Sequence, residues 1–121
     1  MPVTDLRAFA GEDFCYLTTT GRVTGRPHEI EIWFALAPGA HTLYMLSGGG
    51  DRSDWVKNLR RNPEVRVRIA DRRFAGLARE ARDEEEAELV RRLLVEKYES
   101  SPGHLENWRR SALPVVIDLT Q

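Results

Sequence analysis

The sequence feature that most constrains the fold is a glycine-rich turn leading directly into a short helix, in residues 47–63, which read SGGGDRSDWVKNLRRNP. The three consecutive glycines allow positive φ angles and leave backbone N–H groups open to close approach. Ser53 is a favourable N-cap residue, and Asn62-Pro63 ends the helix. The segment therefore separates an earlier group of strand-forming stretches from a later group.

The same turn carries the groups that are typical of an anion-binding site. Arg52 supplies a guanidinium and Ser53 a hydroxyl, directly before a helix whose first turn contains Asp54. Free N–H groups, the positive end of a helix, a cation and a hydroxyl together favour a phosphate. We therefore predict that the turn binds the phosphate of a flavin-like cofactor, with a purely structural glycine turn as the alternative.

Three stretches before this turn, at residues 14–20, 28–36 and 42–47, have the composition and alternation of β-strands. Side chains alternate in the second stretch, so that one face carries His28, Ile30, Ile32 and Phe34 and the other carries Glu29, Glu31, Trp33 and Ala35. The glycine-bounded turn at residues 21–25 makes the first two strands a predicted hairpin. A short helix is predicted ahead of them at residues 5–10, capped by Thr4.

Two strands, a helix and a last strand are predicted after the glycine-rich turn. The strands span residues 65–70 and 74–82, and the helix spans 83–100, beginning with Asp83 as its cap. An irregular or briefly helical segment precedes the last strand, at 113–120. Short, sequential, mostly antiparallel strands indicate a small barrel rather than a βαβ fold. We therefore predict a mainly β fold with flanking α, a six-stranded antiparallel β-barrel with two or three helices.

The length, net charge and cysteine count of the chain exclude several classes of function. A length of 121 residues and a hydrophobic fraction of 41% describe one globular domain, residues 1–121. The net charge of -1 argues against a general nucleic-acid binder. The single cysteine, Cys15, excludes an intrachain disulfide and a cysteine-based zinc site, and it fits a reducing compartment. No stretch approaches membrane-spanning length, so we expect a cytoplasmic location.

Charged side chains share faces on two of the predicted strands. Glu29 and Glu31 share a face with Trp33, while Arg66 and Arg68 point outward from the fourth strand. If the two strands are neighbours, these groups form a ladder of opposite charges on the outside of the barrel. The ladder is either a lattice of surface ion pairs or one wall of a groove at a subunit interface, in which Trp33 stacks on a planar ring.

The sequence shows no catalytic triad, metal-ligand cluster or nucleophile elbow, and no metal site is predicted. His28, His41 and His104 are scattered along the chain, and His28 falls on the apolar side of its strand. Histidines scattered in this way give little support to a hydrolytic mechanism carried out by side chains. An enzyme with this sequence therefore takes its reactivity from a bound cofactor, which the protein binds and orients.

Two longer strings connect these features to a known family. YLTTTGRVTGRPHEIEIWF and TLYMLSGGGDRSDWVKNLRRNPEVRVRI resemble the deazaflavin-dependent nitroreductase family, small split β-barrel oxidoreductases related to the pyridoxamine-phosphate-oxidase-like flavoproteins. The similarity runs roughly from Phe14 to Ile69 and is collinear with the family pattern. The resemblance rests on three motifs in combination: the T-T-G-R turn, the glycine-rich turn and the W-x-x-N-L helix. The resemblance implies that the barrel is of the split type.

The resemblance also implies reduced coenzyme F-420, a deazaflavin, as hydride donor, with FMN as the alternative. Arg52 and Ser53 then hold the tail phosphate, Trp55 and Asn58 brace the helix, and Arg22 and Arg26 face the acidic tail. The tricyclic ring lies against the second strand. The implied cofactor-binding residues are Arg22, Arg26, Pro27, His28, Glu29, Ile30, Glu31, Ile32, Ser47, Gly48, Gly49, Gly50, Asp51, Arg52, Ser53, Trp55 and Asn58.

The family's acceptors are small electron-poor molecules such as quinones, enones and nitro compounds, and His28 and Tyr44 are candidates for protonating the product. The sequence departs from the family pattern at Glu29 and Glu31, which place negative charge beside an anionic cofactor unless Arg66 and Arg68 neutralise it. An FMN-, haem- or bilin-binding split barrel without this activity is one alternative. A non-catalytic dimeric interaction module is another. Relatives of this fold often pair, so a homodimer is expected.

Overall fold

The computed structural model describes residues 6–39 and 41–120 and folds them into one antiparallel sheet flanked by helices. Its strands are β1 Cys15–Thr20, β2 Pro27–Ile32, β3 Ala35–Leu36, β4 Thr42–Ser47, β5 Glu64–Ile69, β6 Arg72–Glu80 and β7 Leu113–Leu119. Its helices are α1 Asp54–Arg61, α2 Glu84–Tyr98 and α3 Glu106–Ser111, with 3-10 turns at Arg7–Phe9 and Gly50–Arg52. The prediction of a mainly β fold with flanking helices is confirmed for these residues.

The sheet is curled into a half-barrel. Its strand order, β2-β1-β5-β6-β7-β4-β3, places β2 and β3 at opposite edges, although these strands are consecutive in the chain. Because consecutive Cα atoms are about 3.8 Å apart, Ile32 at the end of β2 lies within about 11 Å of Ala35 at the start of β3. The two edges must therefore approach each other, and the sheet cannot remain open and flat.

The predicted count of six strands is wrong, because the described residues form seven. The strand predicted at residues 28–36 is interrupted at Trp33 and Phe34. The Phe34 N–H donates to the Tyr98 hydroxyl at 3.0 Å, and its carbonyl accepts from Lys97 Nζ at 2.9 Å. Side chains of α2 thus replace the strand hydrogen bonds of Phe34, which allows the chain to cross from one edge of the sheet to the other.

Two apolar clusters fill the two faces of the sheet. The larger lies inside the curl and receives Val56 and Leu59 from α1, and the smaller lies between the sheet and α2. The predicted inward side chains of β7, Val115, Ile117 and Leu119, belong to the larger cluster. Val116 on the opposite face of β7 is also fully buried, in the smaller cluster. β7 is therefore a central strand with both faces covered.

Several element ends differ from their predicted positions. β5 ends at Ile69 rather than residue 70, because Ala70 adopts a positive φ of 53° in the turn to β6. The Asp83 cap is confirmed, since its carboxylate accepts from the Glu86 N–H at 2.8 Å. The predicted N-terminal helix is only a 3-10 turn at Arg7–Phe9, and Thr4 and Asp5 lie outside the described residues. No helix of the described chain has the length and apolarity that crossing a membrane requires.

Candidate functional site

Two clefts follow one another along the edge strand β2. The first has a volume of about 420 Å³ and lies between the turn at residues 21–25, the first half of β2 and the start of α1. It is lined by Thr19, Gly21, Arg22, Val23, Thr24, His28, Glu29, Ile30, Asp54, Trp55 and Asn58. Six of the predicted cofactor-binding residues are thus brought together here: Arg22, His28, Glu29, Ile30, Trp55 and Asn58.

Asn58 on α1 organises the first cleft. Its side chain is 4% exposed, and its carbonyl oxygen accepts from the Arg22 backbone N–H at 3.1 Å and from Arg22 Nη1 at 2.9 Å. Its amide nitrogen donates to the Thr19 hydroxyl at 3.2 Å. One buried amide therefore joins α1, the turn and β1, which supports the prediction that Asn58 braces this helix.

The turn between β1 and β2 is compact, and His28 packs over it. Gly21 N–H donates to the Arg26 carbonyl at 2.7 Å, and Gly25 has a positive φ of 75°. A Cβ on Gly21 would lie 2.6 Å from His28 Nε2, so only glycine leaves room for the imidazole at this point. His28 shares its face of β2 with Ile30 and Ile32, as predicted, but it lies near the open end of the strand and is exposed at the cleft.

Arginines pair with both carboxylates beside the glycine-rich turn. Arg22 Nη2 lies 3.1 Å from Asp54 Oδ1, and Arg60 Nη1 lies 4.0 Å from Asp51 Oδ2. Arg52 and Arg26 are exposed and make no ion pair with the described residues. Arg26 and Arg52 are therefore available to an anion, whereas Arg22 is committed to Asp54 and Asn58, and Arg60 also binds Glu80 at 2.9 and 3.0 Å.

Two serine hydroxyls hold the glycine-rich turn together. Ser47 Oγ donates to the Gly50 carbonyl at 2.9 Å and lies 2.8 Å from Ser53 Oγ. Because the single Ser47 proton is used, Ser53 is the donor in the second contact. Ser53 stands at the predicted N-cap position, but its side chain makes no capping hydrogen bond. The first N–H groups of α1 are therefore left without a cap from Ser53.

β2 presents a free edge at the first cleft. Its hydrogen-bonded neighbour in the described sheet is β1, and it stands last in the strand order. Alternate N–H and C=O groups of an edge strand point away from the sheet and are available to a ligand. Pro27 begins this strand and Arg26 immediately precedes it. β2 is therefore an edge strand, and its contact with a tricyclic ring stays a prediction.

The second cleft has a volume of about 510 Å³ and an aromatic lining. Its residues are Glu31, Ile32, Trp33, Leu46, Leu105 and Trp108. Leu46, Leu105 and Trp108 were not among the predicted site residues, because Trp108 and Leu105 come from a segment without periodicity. Gly48 in the glycine-rich turn lies beside this cleft, since a Cβ there would lie 3.6 Å from Trp108 Cδ1.

Trp33 is held in place within its own chain. Its ring stacks on Tyr98 with centroids 4.3 Å apart and planes inclined by 2°. Trp108 meets it edge to face, with centroids 5.6 Å apart. Burial raises the pKa of Tyr98 to about 12, so its hydroxyl stays protonated at neutral pH. The planar ring on which Trp33 stacks in this structure is therefore Tyr98.

The predicted charge ladder takes a different form, because β1 lies between β2 and β5. Tyr16 on β1 stands opposite both Glu31 and Arg68. Its hydroxyl donates to Glu31 at 3.0 Å, which raises the pKa of Tyr16, and Arg68 covers its ring at 4.1 Å. Arg68 also lies 3.8 Å from Glu29. Arg68 therefore offsets part of the negative charge beside the first cleft.

The two candidates for proton transfer are not brought together. His28 lines the first cleft, whereas Tyr44 is 5% exposed and belongs to the cluster between the sheet and α2. Burial raises the pKa of Tyr44. The described residues contain no group of three or more His, Cys, Asp or Glu side chains placed to hold a metal ion. Of the pair, only His28 is close to the edge of β2.

The residues present fit a planar cofactor with an anionic tail. The unpaired guanidiniums of Arg26 and Arg52 can bind phosphate or carboxylate, and the free edge of β2 can accept and donate hydrogen bonds along a ring. Asp51 and Asp54 oppose an anion less than isolated carboxylates would, because each has an arginine partner. The donor set is therefore consistent with the phosphate-bearing cofactor predicted for this turn.

Comparison with known proteins gives a family match over almost the whole chain. Residues 3–120 match the family described as F-420H(2)-dependent quinone reductase. An F-420H(2)-dependent quinone reductase of Mycobacterium tuberculosis is 33% identical over 64 residues, which cover 52% of this chain and 43% of the relative. The aligned part thus spans less than half the length of the curated relatives.

Solved structures share the fold. A structure described as an F-420-H2 dependent reductase has 24% identity and a TM-score of 0.68, over 97% of this chain and 98% of that chain. A Listeria innocua protein assigned as a pyridoxamine 5′-phosphate oxidase has 22% identity and a TM-score of 0.71, over 96% and 90% of the two chains. At such identities the likeness establishes the architecture alone, and it agrees with a split-barrel type.

Proposed function

Because the chain belongs to the F-420H(2)-dependent quinone reductase family, we propose that it is an oxidoreductase that uses reduced coenzyme F-420 to reduce a small electron-poor acceptor. Quinones, enones and nitro compounds are the acceptor types. The observation that carries the proposal is that Arg52 in the glycine-rich turn and Arg26 just before β2 are exposed and form no ion pair with the described residues. The start of α1, which follows that turn, lines the first cleft together with the edge strand β2.

In the proposed arrangement, Arg52, the first N–H groups of α1 and the hydroxyl of Ser53 would hold the cofactor's tail phosphate, with the Ser53 proton turning from Ser47 to the phosphate. Arg26 attracts the acidic tail, and Asn58 keeps α1 and the turn at residues 21–25 in register with β1. The edge of β2, from Pro27 to Ile32, would hold the ring. When bound, the reduced deazaflavin supplies a hydride; the acceptor takes that hydride and one proton and leaves reduced by two electrons.

The chain's own residues position and shield the reaction. The first cleft places Trp55 and Ile30 beside the ring region, where apolar walls exclude water. Of the two candidate proton donors, only His28 lines the first cleft, and we propose that it supplies the acceptor's proton. Tyr44 has no comparable access, because it is buried on the other side of the sheet.

The cofactor assignment is tested by titrating the cofactor-free protein with oxidised coenzyme F-420 and, in parallel, with FMN, while following fluorescence. We expect micromolar binding of the deazaflavin and weaker binding of FMN. The Arg52→Ala variant should bind the deazaflavin about tenfold more weakly, because one charge-assisted hydrogen bond is lost. Arg61→Ala, at the other end of α1, is the control and should bind normally.

The outcomes separate the alternatives. Tight FMN binding with weak deazaflavin binding would make the protein an FMN-binding split barrel. Binding of neither, with an unperturbed fold, would favour the non-catalytic interaction module. Equal affinities of the parent protein, Arg52→Ala and Arg61→Ala would remove the glycine-rich turn from the site even if the deazaflavin binds.

We also propose that residues 1–121 act as one cofactor-binding domain and that two copies associate. On the face built by β1, β2 and β5, Glu29 and Glu31 lie on one side of Tyr16 and Arg66 and Arg68 on the other. A two-fold axis through such a face sets carboxylates of one copy against guanidiniums of the next. Light scattering tests the homodimer; a monomer mass at tens of micromolar would reject it.

A further inference from the structure

The second cleft is distinct in chemistry from the glycine-rich turn. Its walls are the rings of Trp33 and Trp108 and the aliphatic side chains of Ile32, Leu46 and Leu105. None of these side chains carries charge, and both tryptophans keep polarisable rings at the surface of the cleft. Apolar clefts of a few hundred cubic ångströms with aromatic walls are typical of sites for flat organic molecules.

Trp33 is a rigid wall rather than a mobile surface side chain. Its ring is 40% exposed and is stacked on Tyr98, whose hydroxyl is 3.0 Å from the Phe34 N–H and 2.8 Å from the Asp13 carbonyl. Lys97 Nζ adds a bond of 2.9 Å to the Phe34 carbonyl. The wall is therefore fixed before any ligand arrives, which reduces the entropy lost on binding.

Glu31 places one negative charge at the rim of this cleft. Its Oε1 accepts from the Tyr16 hydroxyl at 3.0 Å, and no arginine or lysine of the described chain forms an ion pair with it. Glu29, two residues earlier on the same strand, lies in the first cleft and has Arg68 at 3.8 Å. The two glutamates thus act on different clefts, and only the charge of Glu31 remains uncompensated.

The cleft adjoins the region proposed for the cofactor ring. Ile30 lines the first cleft, and its successors Glu31 and Ile32 line the second, so the two spaces follow one another along β2. Trp108 also packs beside Gly48 of the glycine-rich turn. A flat molecule in the second cleft therefore lies next to the strand edge along which the ring is proposed to lie.

From these features we infer that the second cleft is the acceptor site, and that it selects planar aromatic molecules that are uncharged over those that carry a carboxylate or sulfonate. Trp33 and Trp108 bind the flat ring, and Glu31 excludes the anions. The acceptor role rests on the proposed function, whereas the binding preference belongs to the cleft itself and is measurable without the cofactor.

The test is equilibrium dialysis of the cofactor-free protein against a matched pair, 2-(hydroxymethyl)anthraquinone and anthraquinone-2-carboxylate. The uncharged compound should bind about fivefold more tightly, from the repulsion of one carboxylate by another at the rim. Glu31→Gln keeps the acceptor for the Tyr16 hydroxyl and should abolish the preference. Glu29→Gln is the matched control and should retain it.

The aromatic wall is tested with two tryptophan variants. Trp108→Leu should weaken binding of the uncharged anthraquinone about tenfold, since it removes a ring contact and its buried area. Trp55→Phe, in the first cleft, should leave binding unchanged. If Trp108→Leu does not fold, the Glu31→Gln comparison still decides the inference, because that substitution is at an exposed position.

Three results would overturn the inference: equal affinity of the parent protein for the two compounds, an unchanged preference in Glu31→Gln, or competition between the anthraquinone and saturating oxidised F-420. The last would assign the second cleft to the cofactor. If F-420 fails to bind while the anthraquinone binds with the expected dependence on Glu31 and Trp108, the proposed cofactor is wrong and the cleft assignment stands.

Discussion

Replacing Glu86 by glutamine should destabilise the protein strongly at neutral pH and much less in acid. Glu86 lies in the first turn of α2, where both of its oxygens accept from Arg79, at 2.7 and 3.0 Å. Oε1 also accepts from the Arg82 backbone N–H at 2.7 Å. Arg79 donates in addition to Asp118 on β7 at 2.8 Å, so this network fastens the start of α2 to the sheet.

The magnitude follows from the pKa of Glu86. Hydrogen bonding to Arg79 is the main cause that lowers this pKa from 4.5 to about 2. A lowering of that size corresponds to roughly 3 kcal/mol of stability at neutral pH, at 1.36 kcal/mol per pKa unit. Solvent screening of the partly exposed Arg79 reduces our expectation for Glu86→Gln to about 2 kcal/mol. The control, Glu85→Gln, changes an exposed carboxylate in the same turn and should cost less than about 0.5 kcal/mol.

The direction of this pKa shift determines how the stability contribution of Glu86 changes with pH. The folded-state pKa lies below the unfolded one, so the contribution of Glu86 is fully present above pH 4.5 and is lost as the pH falls toward 2. Urea unfolding at pH 7 and pH 3 should therefore show the gap between the parent protein and Glu86→Gln shrinking by about half or more. An equal gap at both pH values, or a Glu85→Gln variant as unstable as Glu86→Gln, would refute this account.

Three further substitutions test the contacts that shape the site. Asn58→Leu should lower the free energy of unfolding by about 2–3 kcal/mol, measured with urea, because three hydrogen bonds to Arg22 and Thr19 are lost. Tyr98→Phe should cost about 1–2 kcal/mol in the same assay, because the Phe34 N–H loses its partner while the ring stays. In Gly49→Ala, the new Cβ would lie 2.5 Å from Ser53 Oγ, so we expect the hydroxyl to be displaced and F-420 binding to weaken. Adding Ser53→Ala removes this clash, and we expect it to restore stability but not the affinity for F-420.

Local patterns were sufficient to predict most of the elements. Alternating apolar residues placed β5 and β7, as Val65, Val67 and Ile117 show, and the Asp83 cap marked the start of α2. Periodicity failed at Trp33 and Phe34, because the alternation continues through a point where the backbone leaves the sheet. The groups that interrupt the strand, Lys97 and Tyr98, lie more than sixty residues away in the sequence and have no local signature there.

The candidate site was predictable only in the part that is contiguous in sequence. The turn at residues 21–25, β2 and the start of α1 all lie within the stretch that carries the family resemblance, and together they line the first cleft. The second cleft combines β2 with Leu105 and Trp108, from a segment without periodicity. Its aromatic wall depends on the crossing at Trp33 and on the docking of α2, which are properties of the tertiary fold.

The charges around the glycine-rich turn illustrate why an anion site cannot be read from composition alone. Arg22, Arg26, Arg52 and Arg60 appear equivalent in the sequence, but Arg22 pairs with Asp54, and Arg60 pairs with Glu80 and lies 4.0 Å from Asp51. Arg68 compensates Glu29 from a strand two places away in the sheet. Arg26, Arg52 and Glu31 form no ion pair with the described residues. The two cations stand before β2 and in the glycine-rich turn, and the carboxylate stands at the aromatic cleft, so the places that we propose for an anionic cofactor and for an uncharged acceptor differ in the sign of their charge.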